Sequence, residues 1–183
     1  MRALIVYASK NGTTETCVER LREGLQGKDV TLCCIEKESV DLADFDVVVF
    51  GSPIYFGRLR PSAREFLKAN EQTLMEKSVA LFLCCAQTDD FEYYSRKCFS
   101  AALREHAFAN VFFGGSLKTE GLSFWDRMIV RSMRSELFEK GMDDGEYIAN
   151  LPVILPENID KLAGVIRGEL NRLAMDKMNN SSK

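Results

Sequence analysis

The chain has 183 residues, a length typical of one domain, and 46% of them are hydrophobic, enough to fill a substantial core. A formal net charge of -3 provides no broad basic excess for a nucleic acid backbone, so nucleic acid is not an expected partner. Without a secretory signal after Met1 or an apolar run long enough for a membrane span, the sequence predicts a cytoplasmic protein, with contact at a membrane surface left open.

Short apolar runs alternate with helical patterns along most of the chain. The runs predict strands at 2–8, 30–35, 46–51, 78–85 and 111–117. The helical patterns predict helices at 13–27, 61–70, 91–106 and 156–175. Strands separated by helices predict an α/β fold with a doubly wound parallel sheet covered on both faces. Periodicity alone does not choose the strand order.

Two segments depart from this alternation. Residues 118–155 form a long insertion between the fifth strand and the last helix, and a helix is predicted within it from Phe124. The composition of residues 176–183 predicts a disordered tail. The expected organisation is therefore one domain over residues 1–175, with the insertion inside it and the tail after it.

The loop after the first strand has the chemistry of a phosphate site. Its glycine lets the backbone approach a ligand, and the helix that follows presents N–H groups and a partial positive charge. The loop matches neither common glycine-rich nucleotide motif, and its hydroxyl groups suit a terminal monophosphate such as that of FMN. An ordinary polar turn capped by Thr13 is the alternative. The candidate phosphate ligands are Ser9, Lys10, Asn11, Gly12, Thr13 and Thr14.

The six cysteines form no C-x-x-C pair, and His106 is the single histidine, which argues against a zinc site. Free thiols are expected in a reducing cytosol. The adjacent pairs Cys33–Cys34 and Cys84–Cys85 lie in predicted strands, where neighbouring side chains point to opposite faces. They are therefore interpreted as core thiols rather than redox pairs.

Residues 6–14, VYASKNGTT, resemble the phosphate loop of flavodoxins. Flavodoxins usually carry Ser or Thr where Asn11 stands, and the Lys-Asn-Gly sequence is closer to one branch, the flavodoxin-type, quinone-dependent protoporphyrinogen IX dehydrogenases. Two further segments resemble that branch: residues 51–57, GSPIYFG, and the sequence around Trp125-Asp126-Arg127, which follows Gly114-Gly115. The resemblance extends from Arg2 to about Leu173.

The resemblance implies a flavodoxin-like sheet in the order 2-1-3-4-5, with FMN as the cofactor. It also implies two loops around the flavin ring. The first comprises Pro53, Ile54, Tyr55, Phe56 and Gly57, and its aromatic side chains are suited to stacking. The second follows the fourth strand and comprises Cys85, Ala86, Gln87 and Thr88, with Tyr93 or Tyr94 as further covers for the ring. Asp89 and Asp90 beyond it are expected to lower the flavin potential if they lie close.

The insertion carries a basic amphipathic pattern. Trp125, Met128 and Ile129 share one helical face, and Arg127 and Arg131 lie opposite. The pattern fits a helix packed on the domain with solvated arginines, and it also fits an element that faces a quinone or lipid. The candidate substrate or partner surface comprises Lys118, Trp125, Arg127 and Arg131. Its lysine and two arginines are cations suited to the propionates of a porphyrinogen.

Two functions remain open on this reading. The first is an FMN-dependent oxidoreductase that passes hydrogen equivalents from a substrate such as a porphyrinogen to a quinone or a redox partner protein. The second is an electron carrier between redox proteins, without a substrate of its own. An NAD(P)H-dependent quinone reductase is a third interpretation, but no nicotinamide site is recognisable in the sequence.

Overall fold

A parallel sheet lies at the centre of the computed structural model, which describes residues 1–10, 12–55, 57–85, 91–115 and 154–181. The described strands are β1 Arg2–Tyr7, β2 Asp29–Cys34, β3 Val47–Tyr55, β4 Arg58–Leu59, β5 Ser78–Cys84 and β6 Ala109–Phe112. The two-residue strand β4 pairs antiparallel with the end of β3. The other five lie in the order β2-β1-β3-β5-β6, which is the predicted 2-1-3-4-5 order, so that prediction is confirmed.

Helices cover both faces of this sheet, and the described ones are α1 Thr13–Glu23, α2 Pro61–Met75, α3 Phe91–Cys98, α4 Ala101–His106 and α5 Pro156–Ser181. Alternate residues of each strand point to opposite faces and so enter different cores. In β1, Ile5 packs in the core that contains α1 and α5, whereas Val6 packs in the core beneath α2 and α4. The sheet is therefore buried on both sides, and its strand ends are the places where ligands can approach.

The cysteine pairs follow the same alternation. Cys33 lies in the core beneath α2 and Cys34 in the core beneath α1. Cys84 joins Cys34 in the α1 core, and Cys85 packs against the opposite one. The neighbours in each pair therefore face opposite cores, which confirms the prediction. All the cysteines are free thiols.

The predicted helix at 91–106 is two helices in the structure. Ser100 is extended, with φ of -61° and ψ of 154°, and its hydroxyl accepts a hydrogen bond from the Leu103 N–H at 3.2 Å. Ser100 is therefore the N-cap of α4, and Phe99 beside it is buried in the core. The apolar period continues across this break, which is why the sequence pattern did not reveal it.

Two boundaries near the C-terminus also differ from the prediction. Strand β6 ends at Phe112 rather than reaching 117, since Gly114 has a positive φ of 71° and forms an isolated bridge to Ile154. Helix α5 continues to Ser181, whereas the sequence predicted its end at 175 and a disordered tail. No glycine or proline follows Leu173 to stop the helix, and its last turns leave the core, with Met178 70% exposed. Among the described helices, none is long and apolar enough to cross a membrane.

Gly51 in β3 provides a test of the packing between the strands and one core. A Cβ atom on Gly51 would lie 1.8 Å from Cζ of Phe82, and the Phe82 ring is stacked on Phe113 at 4.4 Å between centroids. Because neither ring has space to move, we expect Gly51→Ala to lower the free energy of unfolding by about 1–3 kcal/mol, measured by urea denaturation.

Gly164→Ala is the matched control for this substitution. Gly164 is an exposed position of α5 where an added Cβ meets nothing within 4 Å, so alanine should stabilise the helix by up to about 1 kcal/mol. Equal stability of the Gly51→Ala variant and the wild type would contradict the packing described here.

Candidate functional site

Three chain connections leave the sheet at one edge, at the carboxyl ends of β1, β3 and β5. The strand ends are in register: Tyr7 pairs with Gly51, and Pro53 pairs with Cys84. The chain leaves β1 towards β2 and leaves β3 towards β5, on opposite sides, so this edge is the switch point of the sheet. Open α/β sheets bind ligands at such a point. The structure thus brings the starts of the three predicted loops together.

The first connection joins β1 to α1. The Ala8 N–H donates to the Gly51 carbonyl at 3.0 Å, which holds the start of this connection beside β3. Gly12 is the N-cap of α1 and has a left-handed φ of 83°, a conformation that glycine adopts without strain. Because Gly12 has no side chain, it provides no side-chain acceptor for the first N–H groups of α1. N–H groups at the start of a helix, together with the helix dipole, are suited to binding an anion.

The side chains of this connection differ in where they lie. Ser9 and Thr13 are half-buried and Lys10 is exposed, whereas Thr14 is only 2% exposed. Hydrogen bonding with Thr14 lowers the pKa of the Cys84 thiol slightly, against larger effects that raise it. The buried Thr14 hydroxyl therefore lies on the core side of the loop, and only its backbone N–H is left to contact a ligand. Asn11 lies outside the part of the chain that the structure describes.

A pair of thiols lies beneath this loop. A hydrogen bond with the Cys17 thiol, together with burial, raises the pKa of Cys84 well above its ordinary value. Cys84 is 4% exposed and Cys17 is 1% exposed. A protonated and buried thiol is a poor nucleophile, so Cys84 contributes packing rather than covalent chemistry.

Charge at the start of α1 is set by Glu15, in the first turn. Burial and the neighbouring Glu15 carboxylate raise the pKa of Tyr7 to about 12, so the Tyr7 hydroxyl stays protonated and donates a hydrogen bond to Glu15. The Lys37 ammonium lies 3.0 Å from the same carboxylate. Lys37 thus offsets a negative charge that would otherwise repel an anion at this end of the helix.

The second connection is tighter than predicted. The sequence placed Pro53, Ile54 and Tyr55 in a loop after the third strand, and this is wrong: all three belong to β3. Strand β3 extends because Pro53 still pairs with β5 and because Ile54 and Tyr55 pair with Leu59 and Arg58 of β4. Two residues, 56 and 57, separate β3 from β4 in the sequence. Gly57 has φ of 67°, and Phe56 lies outside the described residues.

Helix α3 packs over the Gly57 turn. An added Cβ on Gly57 would lie 3.2 Å from Nζ of Lys97 and 3.4 Å from Cε1 of Tyr94. The Lys97 ammonium also lies 5.3 Å from the ring centroid of Tyr93 and 3.3 Å from its hydroxyl, and Tyr93 is 54% exposed. The sequence indicated one or other of these tyrosines as a cover for the flavin ring but did not indicate the Lys97 ammonium beside Gly57.

An ion pair lies behind Tyr55. The Arg60 guanidinium carbon is 6.0 Å from the centroid of the Tyr55 ring, and Arg60 Nε donates to Glu36 Oε1 at 2.6 Å. The Ser62 hydroxyl donates to the same carboxylate oxygen at 2.7 Å. The hydrogen bond from Arg60 lowers the pKa of Glu36, and the same contact raises the pKa of Arg60. Glu36 follows β2 at the same sheet edge, which the sequence alone did not link to this site.

The third connection starts at Cys85, whose N–H donates to the Gly114 carbonyl at 2.9 Å. The rest of the predicted second ring loop lies outside the described residues, as does the predicted partner surface. These positions are Ala86, Gln87, Thr88, Lys118, Trp125, Arg127 and Arg131. Within the described ranges, no cluster of histidine, cysteine or acidic side chains is arranged to hold a metal ion.

Residues 4–144 match the family model described as flavodoxin domain, and the chain therefore belongs to the flavodoxin domain family. No curated protein matches it. A flavodoxin from Fusobacterium nucleatum bound to flavin mononucleotide has the same fold, with a TM-score of 0.50 and 17% identity over 92% of this chain and 99% of that one. The rubredoxin oxygen:oxidoreductase of Desulfovibrio gigas is similar at a TM-score of 0.51 and 14% identity, covering 90% of this chain. This chain spans 36% of that larger protein.

The pH dependence of unfolding tests the Glu36–Arg60 ion pair. Because the folded pKa of Glu36 is lowered, its contribution to stability is present above the unfolded value of about 4.3 and is lost as the pH falls through the folded value. We expect Glu36→Gln to be less stable than the wild type at pH 7 and the two to converge below about pH 4, in denaturation series at several pH values.

The matched control is Glu65→Gln, an exposed position of α2. It should leave the pH profile close to that of the wild type. A gap between Glu36→Gln and the wild type that stayed constant from pH 7 to pH 3 would contradict this assignment of the carboxylate.

Proposed function

We propose that this chain is an FMN-binding redox protein that holds the flavin at the carboxyl edge of β1, β3 and β5. The cofactor is FMN, as the sequence predicted: the chain belongs to the flavodoxin domain family, and the F. nucleatum flavodoxin of the same fold is bound to flavin mononucleotide. The observation that carries the site assignment is the left-handed Gly12 at the N-cap of α1, in the connection that follows β1.

The start of α1 fits a phosphate group. An added Cβ on Gly12 meets nothing within 4 Å, so the space in front of the first turn is open to a ligand. Backbone N–H groups of Thr13 and Thr14 would bind the phosphate, with hydroxyl donors from Ser9 and Thr13. The exposed Lys10 would add a positive charge close to the phosphate dianion. Asn11 completes the proposed phosphate loop.

The β3–β4 hairpin fits the ring of the flavin. Tyr55 is half-buried at the end of β3, where an aromatic face can stack on an isoalloxazine, and Gly57 is half-buried two residues further along. The proposed ring site also includes Pro53, Ile54 and Phe56 from the hairpin, and Cys85, Ala86, Gln87 and Thr88 from the third connection. Lys97 beside Gly57 would place a cation near this end of the ring, where it favours the accumulation of negative charge.

FMN when bound accepts and releases electrons singly or in pairs, so the protein's part is to bind, orient and tune it. The buried Tyr7 and Cys84 keep their protons, and they stabilise the loop without exchanging protons with a ligand. The function best supported by this arrangement is electron transfer between redox partners through the flavin edge.

A substrate-oxidising enzyme is the second candidate, and the Trp125-Asp126-Arg127 segment favours it. That segment resembles the quinone-dependent protoporphyrinogen IX dehydrogenases, and Lys118, Arg127 and Arg131 would bind the propionates of a porphyrinogen. Anaerobic mixing of the FMN-loaded protein with protoporphyrinogen IX separates the two. Bleaching of the flavin band, followed by its return on addition of a menaquinone analogue, supports the enzyme. A band that responds only to a protein reductant supports the carrier.

The FMN site itself is tested by two glycines with the same backbone conformation. Gly12 and Gly27 have φ of 83° and 82°, and an added Cβ meets nothing within 4 Å at either position. Substitution of either glycine by alanine should therefore lower the free energy of unfolding by about 1–2 kcal/mol, through the left-handed backbone conformation alone. Only Gly12→Ala should also weaken FMN binding, by about tenfold, because the strained loop shifts away from the phosphate.

The measurement is the FMN dissociation constant of the apoprotein, from quenching of flavin fluorescence, with Gly27→Ala as the control. A wild-type protein that binds no FMN would refute the proposed function. Equal dissociation constants for the two variants would place the phosphate elsewhere.

A further inference from the structure

The Glu36–Arg60 pair is more than a surface ion pair. The side chains of Arg60 and Glu36 are 21% and 24% exposed, so both are largely withdrawn from water. By contrast, the side chains of Arg96 and Glu92, which also form an ion pair, are 66% and 63% exposed. Such exposed pairs contribute little to the stability of a protein. A half-buried arginine that is fixed by a carboxylate has little freedom to leave its position over the Tyr55 ring.

Three elements converge on this pair. Glu36 follows β2 on one side of the switch point, Arg60 is the N-cap residue of α2, and Ser62 lies in the first turn of α2. Glu36 accepts from both Arg60 and Ser62 through one oxygen, which fixes the carboxylate relative to α2. The Arg60 guanidinium in turn lies over one face of the ring of Tyr55, which is the last residue of β3. The chain of contacts thus runs from the β2 edge of the sheet to the hairpin.

We propose that Arg60, held by Glu36, is a positioning residue that fixes the Tyr55 ring as one wall of the flavin site. This inference rests on the proposed function, since it assigns the face of Tyr55 away from Arg60 to the isoalloxazine. A fixed ring binds FMN more tightly because its side chain loses less freedom on binding.

The guanidinium is suited to this role in a way that an ammonium is not. Its planar group can lie over an aromatic face while its Nε donates to the Glu36 carboxylate. A lysine keeps the charge but cannot hold both contacts with the same geometry. Arg60→Met therefore removes both the positive charge and the guanidinium geometry, whereas Arg60→Lys removes only the guanidinium geometry.

The experiment measures the FMN dissociation constant and the residual fluorescence of bound flavin in both variants, with Arg64→Met as the control. Arg64 is exposed on the same helix, one turn further along. We expect Arg60→Met to weaken FMN binding about two- to fivefold and to raise the fluorescence of the bound flavin, since a loosened Tyr55 quenches it less. Arg60→Lys should recover part of both losses, and Arg64→Met should match the wild type.

A double-mutant cycle with Tyr55→Leu distinguishes positioning from a general loss of structure. If Arg60 acts through Tyr55, then Arg60→Met causes no further loss of FMN affinity once Tyr55 is absent. The same two- to fivefold loss in the Tyr55→Leu background would overturn the inference, and so would unchanged affinity and fluorescence in Arg60→Met. Either result leaves the proposed function intact as long as the wild type binds FMN, whereas a wild type that binds none removes both.

Discussion

The alignment of three neighbouring strand ends is the constraint on which the rest of the site depends. β1, β3 and β5 run parallel and in register, so their connections leave the sheet at one edge. The Ala8 N–H bond to the Gly51 carbonyl continues this alignment past the end of β1, and the missing side chain at Gly51 lets Phe82 fill the core beside it. A shift of β3 by one residue would exchange its two faces and separate the hairpin from the phosphate loop.

Charge around this edge is organised by local pairs rather than by the net charge of -3. Lys37 offsets Glu15 at the start of α1, and Glu36 holds Arg60 behind Tyr55. Lys97 adds a cation beside the turn at Gly57. The start of a helix thus lies at one end of this edge and cations lie near the hairpin, in a protein whose overall composition is slightly acidic. Such an edge is suited to the phosphate and the planar ring of the proposed cofactor.

The sheet and the start of α1 at Thr13 could be predicted from the sequence because both depend on local patterns. Apolar runs and helical spacing indicated the elements, and the resemblance of the loop around Gly12 to flavodoxins indicated the strand order. The extension of β3 was missed because Pro53 cannot donate a hydrogen bond and so resembles a strand end, although here it still pairs with β5. The break at Ser100 was missed because the apolar spacing continues through it.

The contacts that tune the site could not be predicted in the same way. Glu36 and Arg60 are 24 residues apart, and nothing in either local sequence relates them. Whether the Thr14 hydroxyl points to the loop or to the core depends on the position of Cys84 in β5, on another element. The place of Lys97 likewise depends on how α3 packs over the hairpin. Such contacts follow from tertiary packing, which a single sequence does not encode in any short pattern.

Phosphorus NMR of the FMN-loaded protein tests most directly whether the phosphate binds at the start of α1. Free phosphate monoesters lose their second proton with a pKa of about 6. A phosphate held by the N–H groups of α1 should stay a dianion, so we expect a single shifted resonance that does not move between pH 8 and pH 5. A resonance that titrates along the same curve as free FMN would contradict it.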